Sequence, residues 1–159
     1  MSENEKSLAT KLEEEGDIAA DYLEGLLDIA DLDGDIEIGI ENDRAHLVVE
    51  GGELSHLVGR DGEVLDALQE LTRLAVQTST GERSRLMLDI DGFRSEKKSA
   101  LAKLAEETAE EVKSSGKPIK LAPMNAFERK IVHDTIQKIG LTSESEGEDP
   151  DRCVEVMPA

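Results

Sequence analysis

A chain of 159 residues has room for one ordinary domain or two small ones, and with one Tyr, two Phe and no Trp its core must be aliphatic and base stacking on an aromatic platform nearly excluded. The lone Cys153 excludes an internal disulfide and a cysteine-rich zinc site, and no apolar run approaches the ~18 residues of a membrane span or supplies a signal core near Met1, so a cytoplasmic protein without membrane insertion is expected. A net charge of −19 opposes a polyanionic ligand, yet residues 1–53 carry −14, residues 54–138 sum to zero and residues 139–159 carry −5, so the middle can present a basic face.

In chain order, residues 1–16 are polar, acidic and without a folding pattern, and are expected to be disordered. Ile18, Tyr22, Leu26 and Ile29 recur at helical spacing and predict a helix over 17–30. Ile36, Ile38 and Ile40 alternate as in a strand, residues 41–44 form a turn, and residues 45–50 form the return strand. A short helical turn over 53–58 ends at Gly59-Arg60-Asp61-Gly62. The next helix is read with Val64, Leu68, Leu71 and Ala75 on one face and Leu65 beside it, and Arg85–Asp91 then alternates as a strand.

Asp91-Gly92 marks a domain boundary, giving a first domain over 17–92 and a second over 93–159. Residues 94–114 predict a long helix with Leu101, Leu104, Ala105, Thr108 and Val112 inward, stopped by Gly116. A short extended segment (117–121), a helix (124–139) ended by Gly140, and two short strands (141–145 and 152–157) complete the chain. The order is α-β-β-α-α-β followed by α-β-α-β-β, an α+β fold.

Two motifs carry chemistry. The loop Gly59-Arg60-Asp61-Gly62 joins two helices; its glycines allow a tight backbone turn, the following helix offers free N–H donors, and Arg60 adds a guanidinium fork. By itself the spacing is weak, because 13 glycines produce about one such match by chance, and a helix–helix turn without a ligand is the plain alternative. Arg129 and His133 stand four apart, ~40° round the helix 124–139. With Met124, Phe127, Ile131, Thr135 and Ile136 assigned to the other side, the pair is read as pointing outward, flanked by Lys130, where a guanidinium and an imidazole can hold phosphate oxygens. An ordinary solvated pair is the alternative.

Residues 57–69, read Leu-Val-Gly-Arg-Asp-Gly-Glu-Val-Leu-Asp-Ala-Leu-Gln, resemble the KH segment of the bacterial Jag family, also called KhpB. Residues 121–133, read Leu-Ala-Pro-Met-Asn-Ala-Phe-Glu-Arg-Lys-Ile-Val-His, resemble that family's R-three-H segment, as do Ser143–Pro150 with Arg152 and Val154. The resemblance implies a type II KH domain followed by an R-three-H domain, without the extra N-terminal domain of many members. It implies single-stranded RNA (or ssDNA) as ligand, held by Gly59, Arg60, Asp61, Gly62, Asn125, Arg129, Lys130 and His133. It also implies post-transcriptional regulation, a link to cell elongation and division, and a KH-only partner protein. Two departures stand out: Asp61 takes the place of a second basic loop residue, and Ala126-Phe127 replaces Pro-Tyr.

His46 and His56 are isolated, and Asp31, Asp33 and Asp35 begin a calcium-loop pattern that fails at Asn42, so no metal and no cofactor are expected. Cys153 is read as a small core residue. Arg85, Arg94, Lys97, Lys98, Lys117, Lys120 and Lys130 are candidate auxiliary cations. An acidic protein-interaction adapter with little RNA affinity is the alternative function. An enzyme is disfavoured, since no catalytic constellation or small-molecule site is evident.

Overall fold

The computed structural model describes the backbone of residues 3–159 and the side chains of residues 8–159. The chain divides into two compact units, one ending at Arg94 and one beginning at Ser95. Each has its own apolar core.

In the first unit, α1 (Glu3–Ile29) is followed by β1 (Asp35–Glu41), β2 (Arg44–Glu50), α2 (Ser55–Val58), a single 3-10 turn (Arg60–Gly62), α3 (Glu63–Thr80) and β3 (Met87–Ile90). The polar segment expected to be disordered is helical from Glu3 onward, while Met1 and Ser2 lie outside the described residues. Two contacts anchor this extension: Leu12 is buried, and a Cβ on Gly16 would meet the Ile38 side chain at 2.5 Å.

Asn42 and Asp43, with φ of 51° and 58°, close the β1–β2 hairpin in the twist that suits antiparallel strands. The sheet order is β1-β2-β3, antiparallel between β1 and β2 and parallel between β2 and β3. The parallel step requires a crossover, and α2, the glycine loop and α3 supply it. One sheet face, carrying Ala45, Leu47, Val49, Leu88 and Ile90, is buried in the same core as Ala19, Leu23 and Leu27 of α1 and Leu65, Leu68 and Val76 of α3. The face of α3 differs from the sequence reading. Leu65, Leu68, Thr72 and Val76 are inward, whereas Val64 and Leu71 are 38% and 49% exposed. The helix carries two apolar rows, and the sheet selects one of them.

In the second unit, α4 (Phe93–Ser115) begins at the junction, and β4 (Ile119–Lys120), α5 (Ala126–Ile139), β5 (Thr142–Glu146) and β6 (Cys153–Met157) follow. The sheet order is β4-β6-β5, all antiparallel. Val154 and Val156 of β6 are buried with Leu101, Ala105, Ala109 and Val112 of α4 and Ile131, Val132 and Ile136 of α5. Leu104, assigned inward from its spacing, is 37% exposed. Cys153 sits in the alternate row of β6, half-buried rather than in the core.

Because Ile136 is fully buried in this second core, Ile136→Ala should destabilise its unit by about 2–5 kcal/mol. Hydrogen exchange should show protection lost on α5, β5 and β6 and retained on β1–β3.

Candidate nucleic-acid interface

The glycine loop is built by its backbone. Gly59 closes α2, its N–H donating to the Ser55 carbonyl at 3.0 Å, with φ 73° and ψ −170°. Only glycine adopts that region freely. Asp61 (φ 53°) and Gly62 (φ 79°) are both left-handed. A Cβ on Gly62 would meet the Phe93 ring at 2.5 Å, and one on Gly59 would meet Val64 Cγ2 at 2.5 Å. Both glycines are therefore demanded by turn geometry and packing before any ligand is considered.

Gly62 caps α3 without a side-chain hydrogen bond, so the first-turn N–H groups of α3 receive no side-chain acceptor there. Arg60 and Asp61 are exposed. Arg94 donates to Asp66 at 2.9 Å and to the Leu88 carbonyl at 2.7 Å, which neutralises one of the two acids in the first turn of α3 and leaves Glu63 exposed. Arg60 is the loop's own cation, and any anion there leans on backbone donors more than on charge.

The second motif is built on α5 by a capping box. The Asn125 side-chain oxygen accepts from the Glu128 N–H at 2.9 Å, and the Glu128 carboxylate accepts from the Asn125 N–H at 3.3 Å. Asn125 thus starts the helix, with its side-chain oxygen already committed. Gly140, left-handed at φ 93°, ends it.

The pair expected to point outward does not. Arg129 is only 9% exposed; its Nη1 donates to the Met124 carbonyl and lies 3.5 Å from Asp149 Oδ1. Phe127, expected inward, is 39% exposed. Arg129 falls in one row with buried Val132 and Ile136, three and seven residues on, so the core stripe of α5 contains the arginine.

His133 lies between two serines of β5. Its Nδ1 is 2.6 Å from Ser143 Oγ and its Nε2 is 2.8 Å from Ser145 Oγ. Ser143 and Ser145 pair with Val156 and Val154, the inward residues of β6, so the serines face α5. A hydroxyl both donates and accepts, so this cradle serves either tautomer of the neutral ring and also the imidazolium. Burial, then the positive charge of Arg129, push the His133 pKa below its ordinary 6.5, with Asp134 opposing. Sequence reasoning missed the roles of Ser143, Ser145 and Asp149; two serines at alternate positions of a short strand were the available signal.

Lys130 is exposed on α5. Other candidate cations are engaged: Lys97 with Glu128 at 3.4 Å and Lys120 with Glu146 at 2.9 Å. Lys120 holds the Glu146 carboxyl below its usual range, while the hydrogen bond shared with Glu146 pushes Glu155 up. These residues occupy the sheet face opposite the serines, so that face is dominated by acid and unsuited to a polyanion. Lys117 borders a shallow depression with Glu107, Glu110 and Glu111, which is acidic for the same reason. Among the described residues, no cluster of His, Cys, Asp and Glu has the arrangement of a metal site, and no helix is long and apolar enough to cross a membrane.

Residues 99–158 match the R-three-H domain family. Along most of its length the chain is similar to the RNA-binding protein KhpB of Clostridium symbiosum, 33% identical over 141 residues that cover 87% of this chain and 64% of that protein. The RNA-binding protein KhpB of Lactiplantibacillus plantarum is 33% identical over 86% of this chain and 42% of its own length. That of Bacillus subtilis is 36% identical over 88 residues, 55% of this chain and 42% of that protein. The chain thus spans between two fifths and two thirds of the length of these relatives. With an R-three-H domain over residues 99–158 and these relatives along most of its length, the chain belongs to the KhpB (Jag) family.

Proposed function

We propose that this protein binds single-stranded RNA through two sites: the Gly59–Gly62 loop with Arg60, and the α5–β5 face formed by Arg129, Lys130 and His133, with Asn125 at the helix start. The observation that carries the reading is the R-three-H match over a helix whose His133 is held between Ser143 and Ser145 beside Arg129. The relatives' name, RNA-binding protein, supports the ligand class and a non-enzymatic role. We read the first unit as a type II KH domain on its element order and its glycine loop, with residues 17–92 as its extent and 93–159 as the second domain. Asp61, left-handed within the loop, belongs to this site as a selector of the nucleotide edge or as a brake on affinity. Post-transcriptional regulation tied to cell elongation and division, a KH-only protein partner and a cytoplasmic setting are the wider parts of this proposal, supported by family resemblance.

Mechanistically, RNA phosphates meet backbone N–H groups at the α3 start and charged groups at α5. Arg129 already bonds Asp149, so an incoming phosphate exchanges one anionic partner for another. Asp149 is 77% exposed, and its release costs little.

Fluorescence anisotropy of a labelled ~20-nucleotide single-stranded RNA tests this directly. Arg60→Glu should weaken binding roughly tenfold and Arg129→Ala/His133→Ala by at least as much, with affinity falling steeply as salt rises. Wild-type protein that binds no RNA at low salt would replace this reading with that of an acidic protein-interaction adapter. Asp149→Asn frees Arg129 and should tighten binding roughly two- to fivefold.

The lowered His133 pKa sets a pH dependence. The unfolded chain takes up this proton first, so the contribution of His133 to stability is full above pH 6.5 and is lost as pH falls below it towards the folded value. A bound phosphate favours the imidazolium, so RNA affinity should rise from about pH 8 to about pH 6. His133→Gln should flatten both profiles; unchanged slopes in that variant would assign the dependence to other groups.

A further inference from the structure

We propose that Arg152 is a further anion-holding residue of the α5–β5 site and that its ligand is a phosphate group of the bound strand. This rests on the RNA-binding reading above and assigns a contact within it.

Three observations converge on Arg152. The first is register. Arg152 immediately precedes β6, two residues before Val154 of the inward row, and strand alternation carried one residue further sets it on that side. Ser143 and Ser145 pair with those two valines, and His133 bonds both serines. The row that the serines face thus leads, one step past the strand end, to Arg152. A Cβ on Gly147, the next position on the β5 side, would lie 3.8 Å from the Arg152 Cα, so the two backbones run side by side there.

The second is a shared mooring. The Met124 N–H donates to the Arg152 carbonyl at 3.0 Å, and the Met124 carbonyl accepts from Arg129 Nη1. The Arg129 guanidinium and the Arg152 backbone are thus tied to one residue, at the end of the site where Asp149 meets Arg129.

The third is an unmatched donor. Arg152 Nε is buried and has no hydrogen-bond partner among the described residues. Three other arginines withdrawn from solvent are bonded to oxygen: Arg73 to the Leu86 carbonyl and Glu70, Arg94 to the Leu88 carbonyl and Asp66, Arg129 to the Met124 carbonyl. Buried polar atoms are nearly always satisfied, and a guanidinium desolvated on its inner edge gains strongly from an anion on its outer edge. A planar fork suits phosphate oxygens. An internal phosphodiester and a 5′-terminal phosphate share this chemistry.

The test uses the full chain and labelled ~20-nucleotide RNA, bearing either a 5′-hydroxyl or a 5′-phosphate, titrated at several salt concentrations. Arg152→Gln should weaken binding about tenfold and make the dependence of log affinity on log salt shallower by roughly 0.7, the loss of one single-strand phosphate contact, while Arg152→Lys retains most of that slope. A loss seen equally with both RNAs assigns an internal phosphodiester; a loss confined to the phosphorylated RNA assigns the terminal group. In the wild-type protein, the Arg152 Nε–H signal, identified by its absence from the Arg152→Lys spectrum, should shift on RNA addition, which decides the matter even if Arg152→Gln does not fold. RNA binding by the wild type with neither a slope change in the variants nor a shift of that signal overturns the role of Arg152 alone. No RNA binding by the wild type overturns the RNA reading, and this assignment with it.

Discussion

The second unit turns on the seat of one histidine. His133 reaches from α5 to two serines of β5, and both bonds are short. They hold α5 in the rotation that its buried Val132 and Ile136 also require, and in that rotation Arg129, one turn earlier, reaches the Met124 carbonyl and Asp149. With the imidazole held this way, the polar end of the unit is a preorganised group of donors over a small sheet rather than a set of mobile surface chains. Preorganisation of this kind lowers the ordering cost of binding a ligand.

Charge distribution decides which surfaces can serve a polyanion. The outer face of the β4-β6-β5 sheet carries Glu144, Glu146 and Glu155 against Lys120, and the depression near Lys117 is lined by three glutamates. Both repel phosphate. The inward serine row bears no carboxylate of its own and lies against His133 of α5. In the first unit, Arg94 neutralises Asp66 beneath the glycine loop, while Asp61 and Glu63 remain exposed around Arg60. Backbone N–H donors, which no nearby carboxylate can remove, are the stronger asset of that loop.

The glycine loop shows how structural and functional demands coincide. Gly59 and Gly62 occupy backbone regions that favour glycine, and each is pressed by a neighbouring side chain. A substitution there disturbs the α2–α3 crossover that the parallel β2–β3 pairing requires, whatever it does to a ligand. Charge reversal at exposed Arg60 separates the two demands, because its side chain takes no part in the turn.

Much of the fold was legible in local chemistry. Alternating Ile36, Ile38 and Ile40, the Asn42-Asp43 turn and the glycine at 140 act within a few residues, so the sequence alone determined the order of elements and most of their ends. It also determined that Gly59–Gly62 joins two helices and that Arg129 and His133 share a helix side, since both follow from spacing. What spacing cannot supply is the absolute face. Both α3 and α5 carry apolar residues around more than half of their circumference, and only the sheet packed against them decides which row is buried. Tertiary structure therefore chose Leu65 and Leu68 over Val64 and Leu71, turned Phe127 out and Arg129 in, and extended α1 back to Glu3 against Ile38. It likewise brought Ser143 and Ser145, ten and twelve residues beyond His133 in sequence, to the side of α5 that bears it, because strand pairing acts between residues that local chemistry cannot connect.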